Sequence, residues 1–517
     1  MSSLGSRNNA HGGRIGKLGE KMENHEREME DLRVLMDTNI VLAIEGDEDA
    51  DHVNHKSAST VYRLVQDTGG QMSILENQFD DISRIQDRPL RDRRRRQLEK
   101  YPRLGRVELP PQFLDKARYA PNLRAQSNDG VDAALLLTLQ RNAATWLITE
   151  DRKLHAHARH AGLQERVMML DDAQGVLTAL SGQLPVHYSV DDVQPHTLDP
   201  VQPFFDSLRS DYGDFSKWWD KVVTERRTCL VIGGGNDLRG LAVLDRQEPE
   251  VSGLSANSVK ICTFKIAEAN QGKKLGETLL EAVIARLRSM RADTCFIEAS
   301  LDKESLLAML REFGFFDLGP KPGAPDQIVL GKILEPRVDQ EPPMHPLDYN
   351  RRYGPGKRRV DRAFLVPILP AFHSMLFPAS EPQQSFFDST YGNAIRKVYI
   401  CHSGIKALKP GDTLFFLRTH ERRAVHAVGV VEETLRTSIL ADVLNFAGAR
   451  TVYRAEELQE MCAKEVLAVK FRLDQVLDAP VSRENLKMLG VMEESPQSIA
   501  QIKSEEGIRW ARTLQDV

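Results

Sequence analysis

The sequence predicts an α/β multidomain protein, and three observations carry that expectation. Its 517 residues exceed what one hydrophobic core serves, so length alone suggests about three or four domains. Two proline-rich, aperiodic stretches interrupt the chain, and between them strand-like apolar runs alternate with helical periodicity. The content of 41% apolar and 28% charged residues is that of an ordinary globular protein. A net charge of −5 gives no bulk attraction to polyanions, so nucleic-acid contact would have to come from local basic patches.

Five cysteines with no CxxC pair argue against a disulfide framework or zinc knuckle and for a reducing compartment. The first residues lack an apolar signal region, and no run of about 18 apolar residues occurs, so no membrane partner is expected and a cytoplasmic location is the simplest reading. Residues 1–30 read as a flexible or helical extension. Residues 189–203 and 336–359 mix proline with charge and read as linkers. They leave segments 31–188, 204–335 and 360–517, which share no repeat and so predict three different folds.

In the first segment strands and helices alternate, as in a parallel sheet covered on both faces. "VLMDTN" (34–39) is an apolar strand ending on Asp37, Thr38 and Asn39, and a carboxylate there is costly unless paired, hydrogen-bonded or metal-bound. "QMSILENQFDDISR" (71–84) reads as a helix carrying Glu76, flanked by Ile74, Leu75 and Phe79. "SNDGVDAALLL" (127–137) starts a helix after an Asn128/Asp129 cap, with Asp132 in its first turn. "ATWLITEDRKL" (144–154) is a buried strand ending on acids, among them Asp151.

Functional groups of such sheets gather at the carboxyl ends of the strands, which brings Asp37 and Asp151 towards each other. Four carboxylates in one cleft repel unless divalent cations neutralise them. Oxygen ligands without a His or Cys cluster favour Mg2+ or Mn2+ over zinc. Thr149, two residues before Asp151, is placed to hold a metal-bound water. The basic run "LRDRRRRQLEKYPRLGR" (90–106), with Arg93, Arg94, Arg95 and Arg96, offers cations to a phosphate backbone beside those acids, although such runs are commonly solvated helix faces.

Asp37-Thr38-Asn39 after a strand, Glu76, Asp132 opening "DAALLL" and "LITED" (147–151) together resemble the PIN-domain nucleases. The resemblance implies a PIN-like α/β/α domain with a parallel sheet. It implies a metal-dependent ribonuclease that leaves 5′-phosphate and 3′-hydroxyl ends. Asp37, Glu76, Asp132 and Asp151 would be metal ligands, Asn39 would orient the first carboxylate and Thr149 would support the set. Asp129 competes with Asp132 for the third place.

In the second segment the glycines of "CLVIGGGNDLRGLAVLDR" (229–246) are followed by strand rather than helix, so GGGND reads as a hairpin turn and not a dinucleotide fingerprint. "VKICTFKIAEANQGKKLGETLLEAVIARLRSM" (259–290) instead runs from strand through Gln271, Gly272, Lys273, Lys274, Leu275 and Gly276 straight into a helix, where backbone N–H groups would face an anion. This order, with Phe313-Gly314-Phe315 later, resembles the GNAT acetyltransferases, a mixed α/β fold whose loop cradles the pyrophosphate of acetyl-CoA. Lys274 replaces a glycine of the usual loop, and Leu310 stands where a tyrosine commonly protonates the thiolate; Glu298 is the nearby candidate base. Trp218 and Trp219, in an aromatic helix at 203–222, are candidates for base stacking or for the core.

The third segment is strand-rich. "LKPGDTLFFLR" (408–418) followed by "AVHAVGVVEE" (424–433) predicts a hairpin with HERR at its tip. It resembles PUA-like modules of the ASCH/EVE group, which implies a small β-barrel binding RNA. Lys409 stands where the Gly-x-Lys motif of that group has Glu. Arg396, Lys397, Lys406, Arg418, Arg422 and Arg423 are candidate phosphate contacts, and Tyr391 or Tyr399 a candidate stacking residue.

The whole is similar to bacterial chains that join the three modules. The first expectation is a toxin- or defence-like endoribonuclease using Mg2+ or Mn2+. Its partners would be RNA, acetyl-CoA and an antitoxin protein, and it would form a homodimer. The alternatives are an acetyltransferase acting on RNA or aminoacyl-tRNA with a non-catalytic PIN fold, and a regulator responsive to CoA or RNA without activity.

Overall fold

Each of the three strand-rich regions builds its own sheet. The computed structural model describes residues 32–45, 54–181, 189–211, 213–235, 237–249, 251–267, 270, 275–336, 343–377, 395–419, 423–450 and 453–514. The chain forms two compact units: Met1–Gln183 with Ser438–Ala449 and Tyr453–Ala463, and Leu184–Thr437 with Arg450–Val452 and Lys464–Val517. The second and third segments thus share a unit.

The first unit holds a five-stranded sheet of order β3-β2-β1-β4-β5. Its strands are β1 (Arg33–Met36), β2 (Gln71–Leu75), β3 (Arg103–Leu104), β4 (Trp146–Ile148) and β5 (Val167–Met168), all parallel. Helices α1 (Thr38–Ile44), α2 (His55–Asp67), α3 (Phe79–Ser83), α4 (Arg88–Leu98), α5 (Pro111–Lys116), α6 (Asn128–Gln140), α7 (Arg152–Ala161) and α8 (Leu170–Leu180) connect them. The central strand β1 is buried because it carries Val34, Leu35 and Met36 between β2 and β4. The chain leaves β1 towards β2 on one side and reaches β4 on the other, so the order reverses at β1 and opens a crevice at its carboxyl end. The predicted helix at 71–84 is instead strand β2, a one-turn 3-10 helix at Glu76–Gln78, and the short α3. Ser127, rather than Asn128 or Asp129, caps α6, accepting from the Gly130 N–H at 3.1 Å.

The second unit begins with a seven-stranded sheet of order β11-β12-β10-β9-β8-β7-β6. Its strands are β6 (Val190–Val193), β7 (Thr228–Gly234), β8 (Asp237–Arg246), β9 (Ser258–Ile266), β10 (Thr294–Ser300), β11 (Phe316–Lys321) and β12 (Ala324–Ile333). Helices α9 (Asp206–Asp211) and α10 (Phe215–Thr224) precede β7, α11 (Leu275–Ser289) links β9 to β10, and α12 (Glu304–Glu312) follows β10. GGGND does turn a hairpin, with β7 and β8 antiparallel up to Gly234↔Asp237. Leu279, Leu280, Val283, Ile284 and Leu287 of α11 fill the core under this sheet, at helical spacing.

The remaining sheet has six strands, of order β14-β17-β16-β15-β13-β18. They are β13 (Ala363–Ile368), β14 (Arg396–Cys401), β15 (Thr413–Arg418), β16 (Ala424–Thr437), β17 (Val466–Ser482) and β18 (Ala500–Ile502). The associated helices are α13 (Pro346–Tyr353), α14 (Pro370–Leu376), α15 (Leu440–Ala447), α16 (Ala455–Cys462), α17 (Arg483–Met488) and α18 (Glu505–Thr513). This corrects the expected small barrel: among the described residues β14 and β18 are edges that do not pair with each other. The long strands β16 and β17 bend at register shifts such as Val425/Ala427 and Val431/Glu433, so the sheet curls without closing. Helices α15 and α16, inserted between β16 and β17, belong to the first unit. There a Cβ on Gly448, at φ +55°, would lie 2.3 Å from the Glu165 carbonyl oxygen, so glycine is required. No helix among the described residues is long and apolar enough to cross a membrane.

Candidate functional site

Strand β1 passes straight into α1, which makes Asp37 the N-cap of that helix. Its Oδ1 accepts from the Thr38 N–H at 2.6 Å and its Oδ2 from the Thr149 hydroxyl at 2.8 Å. The Thr149 oxygen accepts in turn from the Asp151 N–H at 3.0 Å, so one hydroxyl laces the ends of β1 and β4 together. Asp151 caps α7, its Oδ1 accepting from Lys153 and Leu154 N–H groups at 2.7 and 3.3 Å. On the opposite side the buried Gln78 braces the end of β1, its Nε2 donating to the Met36 carbonyl at 2.9 Å and the Thr38 hydroxyl at 3.2 Å.

Burial pushes the Asp37 carboxyl above its ordinary range against these hydrogen bonds, and Asp151 adds to the rise. Asp132, on the first turns of α6, is pushed up to about 8 by burial and then by Asp37, Asp151, Asp81 and Asp129. No hydrogen bond to its carboxylate occurs among the described residues. Burial likewise lifts Asp81 to about 6, although Arg84 is paired with it. Arg84 also donates to the Gln126 carbonyl and to Asn128 Oδ1, which ties α3 to the start of α6.

Asp37, Asp81, Asp132 and Asp151 are therefore within electrostatic reach of one another at the crevice. Two expected members differ. The charge of Glu76 acts on Arg106, whereas Asp81 is among the carboxylates that raise Asp132. The chain leaves β2 through a 3-10 turn at Glu76–Gln78 that leads directly into α3. Asn39 is exposed on α1, and the orienting role expected of it falls to the Thr38 N–H and the Thr149 hydroxyl. Sequence reading missed both Asp81 and Gln78; "FDDIS" offered the signal, a pair of acids at a helix start.

The donor set suits a hard divalent cation in kind, being carboxylates and a hydroxyl without soft ligands. Arg84 pairs with Asp81, and burial with the surrounding carboxylates still raises Asp132. Among the described residues, however, no three His, Cys, Asp or Glu side chains already surround a single point. Of the basic run, Arg95 and Arg96 are exposed on α4, Arg93 and Arg94 half-buried, and Arg95 pairs with Glu99 at 3.0 Å.

In the second unit β9 and β10 pair in parallel only from Ser258↔Thr294 to Ile261↔Ile297, although β9 continues to Ile266 and β10 to Ser300. Beyond that point the two strands part, and α11 starts on the β9 side of the opening. Gln271, Gly272, Lys273 and Lys274 lie outside the described residues. Leu275 is buried under the sheet, and a Cβ on Gly276 would meet Met309 Sδ of α12 at 3.1 Å. Glu298 is bound by Lys260 and Lys321, each at 2.8 Å. Burial opposes its charge, but the two ammonium groups hold the carboxyl below its ordinary range, which makes it a weak proton acceptor with its oxygens already engaged. Leu310 is fully buried. Trp219 packs among Phe205, Phe215 and Val222, with Trp218 half-buried beside them, so these rings serve a core rather than stack on bases.

Two candidate RNA contacts in the third sheet are structural instead. Lys397 is 1% exposed and faces Glu281 and Glu277 of α11, and burial pulls its ammonium down to about 8. Arg396 is paired with Glu432 at 2.8 Å and with Glu312. Beside them the buried Arg450 grips Glu277 at 3.0 Å and donates to the Arg396 carbonyl at 2.9 Å. Tyr399 is buried, its hydroxyl donating to the Pro367 carbonyl at 3.1 Å, and Arg418 is buried too. Lys406 and Arg423 are exposed, while Tyr391 and Arg422 lie outside the described residues.

No protein-family model matches this chain, and no curated protein matches it. Solved structures similar to part of it include ribosomal-protein-alanine N-acetyltransferase from Brucella melitensis, 16% identical over 28% of this chain and 99% of that one, with a TM-score of 0.24. A GNAT family acetyltransferase from Elizabethkingia anophelis with acetyl-CoA bound is 16% identical over 29% of this chain and 99% of that one, with a TM-score of 0.21. ASCH from Zymomonas mobilis is 13% identical over 29% of this chain and 94% of that one, with a TM-score of 0.23. These three solved structures are two acetyltransferases and an ASCH protein, each covering less than a third of this chain.

Proposed function

We propose that the chain is a metal-dependent endoribonuclease working at the carboxylate crevice of its first unit. The observation supporting this is the gathering of Asp37, Asp81, Asp132 and Asp151 at the carboxyl end of a parallel 3-2-1-4-5 sheet, with Asp132 driven up to about 8. Asp37, Asp132 and Asp151, with Asp81 beside them, would hold Mg2+ or Mn2+. When bound, the ion supplies Lewis acidity to the phosphate and acidifies water. Thr38 and Thr149 fix both Asp37 oxygens, so that carboxylate is oriented before any ligand arrives. Water adds to phosphorus, the bond to O3′ breaks, and O3′ takes up a proton, leaving a 5′-phosphate and a 3′-hydroxyl. Exposed arginines of α4, with Lys406 and Arg423 of the third segment, would be the cations that meet RNA. A toxin- or defence-like role, with an antitoxin partner and a homodimer, belongs to the same reading.

A second reading concerns the second unit, where the parting of β9 from β10 ahead of α11 supports CoA or acetyl-CoA binding. With Leu310 in the core and Glu298 bound to two lysines, this site is read as binding rather than transferring. The test of the first reading is incubation of the purified chain with total RNA, with and without Mn2+, followed by mapping of 5′ ends. New 5′-phosphate ends that need Mn2+ and vanish in Asp37→Asn support it. No Mn2+-dependent ends overturn it.

A further inference from the structure

We propose that the outer face of α7, joined by Arg118, is a track for the phosphate backbone of single-stranded RNA leading away from the crevice. The proposal deepens the RNA part of the preceding reading and needs no cation in the crevice. Helix α7 buries Leu154, Ala158 and Ala161, spaced i, i+4 and i+7, and so turns one stripe to the core. Arg152, Lys153, Arg159 and His160 fall on the opposite side and are exposed. The helix opens at Asp151, which caps it, so this face begins at the crevice itself. From Lys153 to His160 it runs about 10 Å at about 1.5 Å per residue.

Arg118 is fixed beside this face by its two neighbours in the chain. The Ala117 carbonyl accepts from His157 Nδ1–H of α7 at 2.8 Å, and the Tyr119 ring stacks on the same imidazole at 3.8 Å and 15°. Both neighbours are buried, whereas Arg118 is exposed, in the left-handed region at φ +58°. This is the turn that closes α5, with the Tyr119 N–H donating to the Leu114 carbonyl at 2.8 Å, and such a position favours glycine. An arginine there carries a backbone cost without a side-chain partner to offset it. Among the described residues Arg118, Lys153 and Arg159 form no ion pair. The cations lie close enough to act on one another: burial, then Arg118, His157 and Arg159, hold His160 below its ordinary range.

The helix dipole explains only part of this pattern. Arg159 and His160 suit the last turn of α7, but Arg152 and Lys153 stand in the first turn, where the dipole opposes a cation, and Arg118 lies outside the helix. Like charges gathered without carboxylate partners call for an anion from outside. Among the described residues α5 and α7 expose no large apolar side chain of the kind that centres a protein interface, so a phosphate backbone fits this face better than an acidic protein.

The test is anisotropy titration of the full chain in EDTA with a labelled uridine 20-mer over a range of salt. Arg118→Gly removes one cation and suits the turn, and Arg159→Gln removes another. Arg141→Gln, an exposed cation ahead of β4 and away from Asp151, is the reference. The expected result is a salt slope lower by about 0.7 in each of the first two variants and by about 1.4 in their double variant, with none in the reference. Arg118→Gly should melt at the parent's temperature or above it. An adenosine 20-mer should give the same changes, because backbone contacts carry no sequence. Parent slopes in Arg118→Gly and Arg159→Gln, or a parent chain that does not bind the RNA, overturn the proposal. So does Arg118-dependent binding of a 20-residue polyglutamate when neither RNA binds. If the slopes fall as expected but Mn2+ yields no new 5′ ends, the track stands and the nuclease reading alone falls; parent slopes with Mn2+-dependent cleavage give the reverse.

Discussion

The crowding at Asp132 has a consequence for folding that does not depend on catalysis. In the unfolded chain this carboxyl ionises near 3.8, whereas in the folded chain it holds its proton up to about 8. Between those values the folded state binds the extra proton, so stability falls as pH rises through the window. At about 1.36 kcal/mol per pH unit the climb sets an upper bound of about 6 kcal/mol. Asp132 is only partly buried and solvent screens its neighbours, so about 2–3 kcal/mol is the expected loss. A cation held at about 100 times its dissociation constant would return about 2.7 kcal/mol. Amide hydrogen exchange at β1 and β4 isolates the first unit from the rest of the chain. In EDTA, opening free energies there should drop between pH 5 and pH 8. Mn2+ should restore them, and Asp132→Asn should weaken the pH effect, leaving the smaller share carried by Asp81 and Asp37. An Asp132→Asn chain with the parent's pH slope would refute the reasoning.

Other substitutions test the surrounding account. Thr149→Val takes one donor from Asp37 and should cut RNA cleavage about 10- to 100-fold while costing about 1 kcal/mol of stability in urea unfolding. Arg450→Met removes the guanidinium from the buried Glu277, leaving Lys397 as its facing cation, and should destabilise the second unit by about 1.5–3 kcal/mol, most of it recovered in the double variant with Glu277→Leu. Lys397→Met should leave RNA affinity and its salt dependence unchanged, whereas Lys406→Ala should lower the salt slope by about one; anisotropy titrations over a range of salt separate them.

The parts of the site that were legible in the sequence were those set by strand ends. Asp37, Thr149 and Asp151 could be placed because an apolar run that stops on small polar residues marks the carboxyl edge of a buried strand. Glu76 was read on a helix because "QMSIL", with apolar Met72, Ile74 and Leu75, is too short for periodicity to separate strand from buried helix. Once that stretch is a strand, Glu76 falls in the 3-10 turn after it and Asp81 on the short α3. Arg396 and Lys397 read as surface cations because their partners, Glu432, Glu281 and Glu277, are distant in sequence. The curl of the third sheet depends on bulges in β16 and β17 that no local pattern announces.

The most direct measurement is anomalous scattering from crystals soaked in Mn2+. The account predicts a peak flanked by the carboxylates of Asp37 and Asp132 and absent from Asp132→Asn crystals. A peak lying only elsewhere, or none in that crevice at saturating Mn2+, would contradict it.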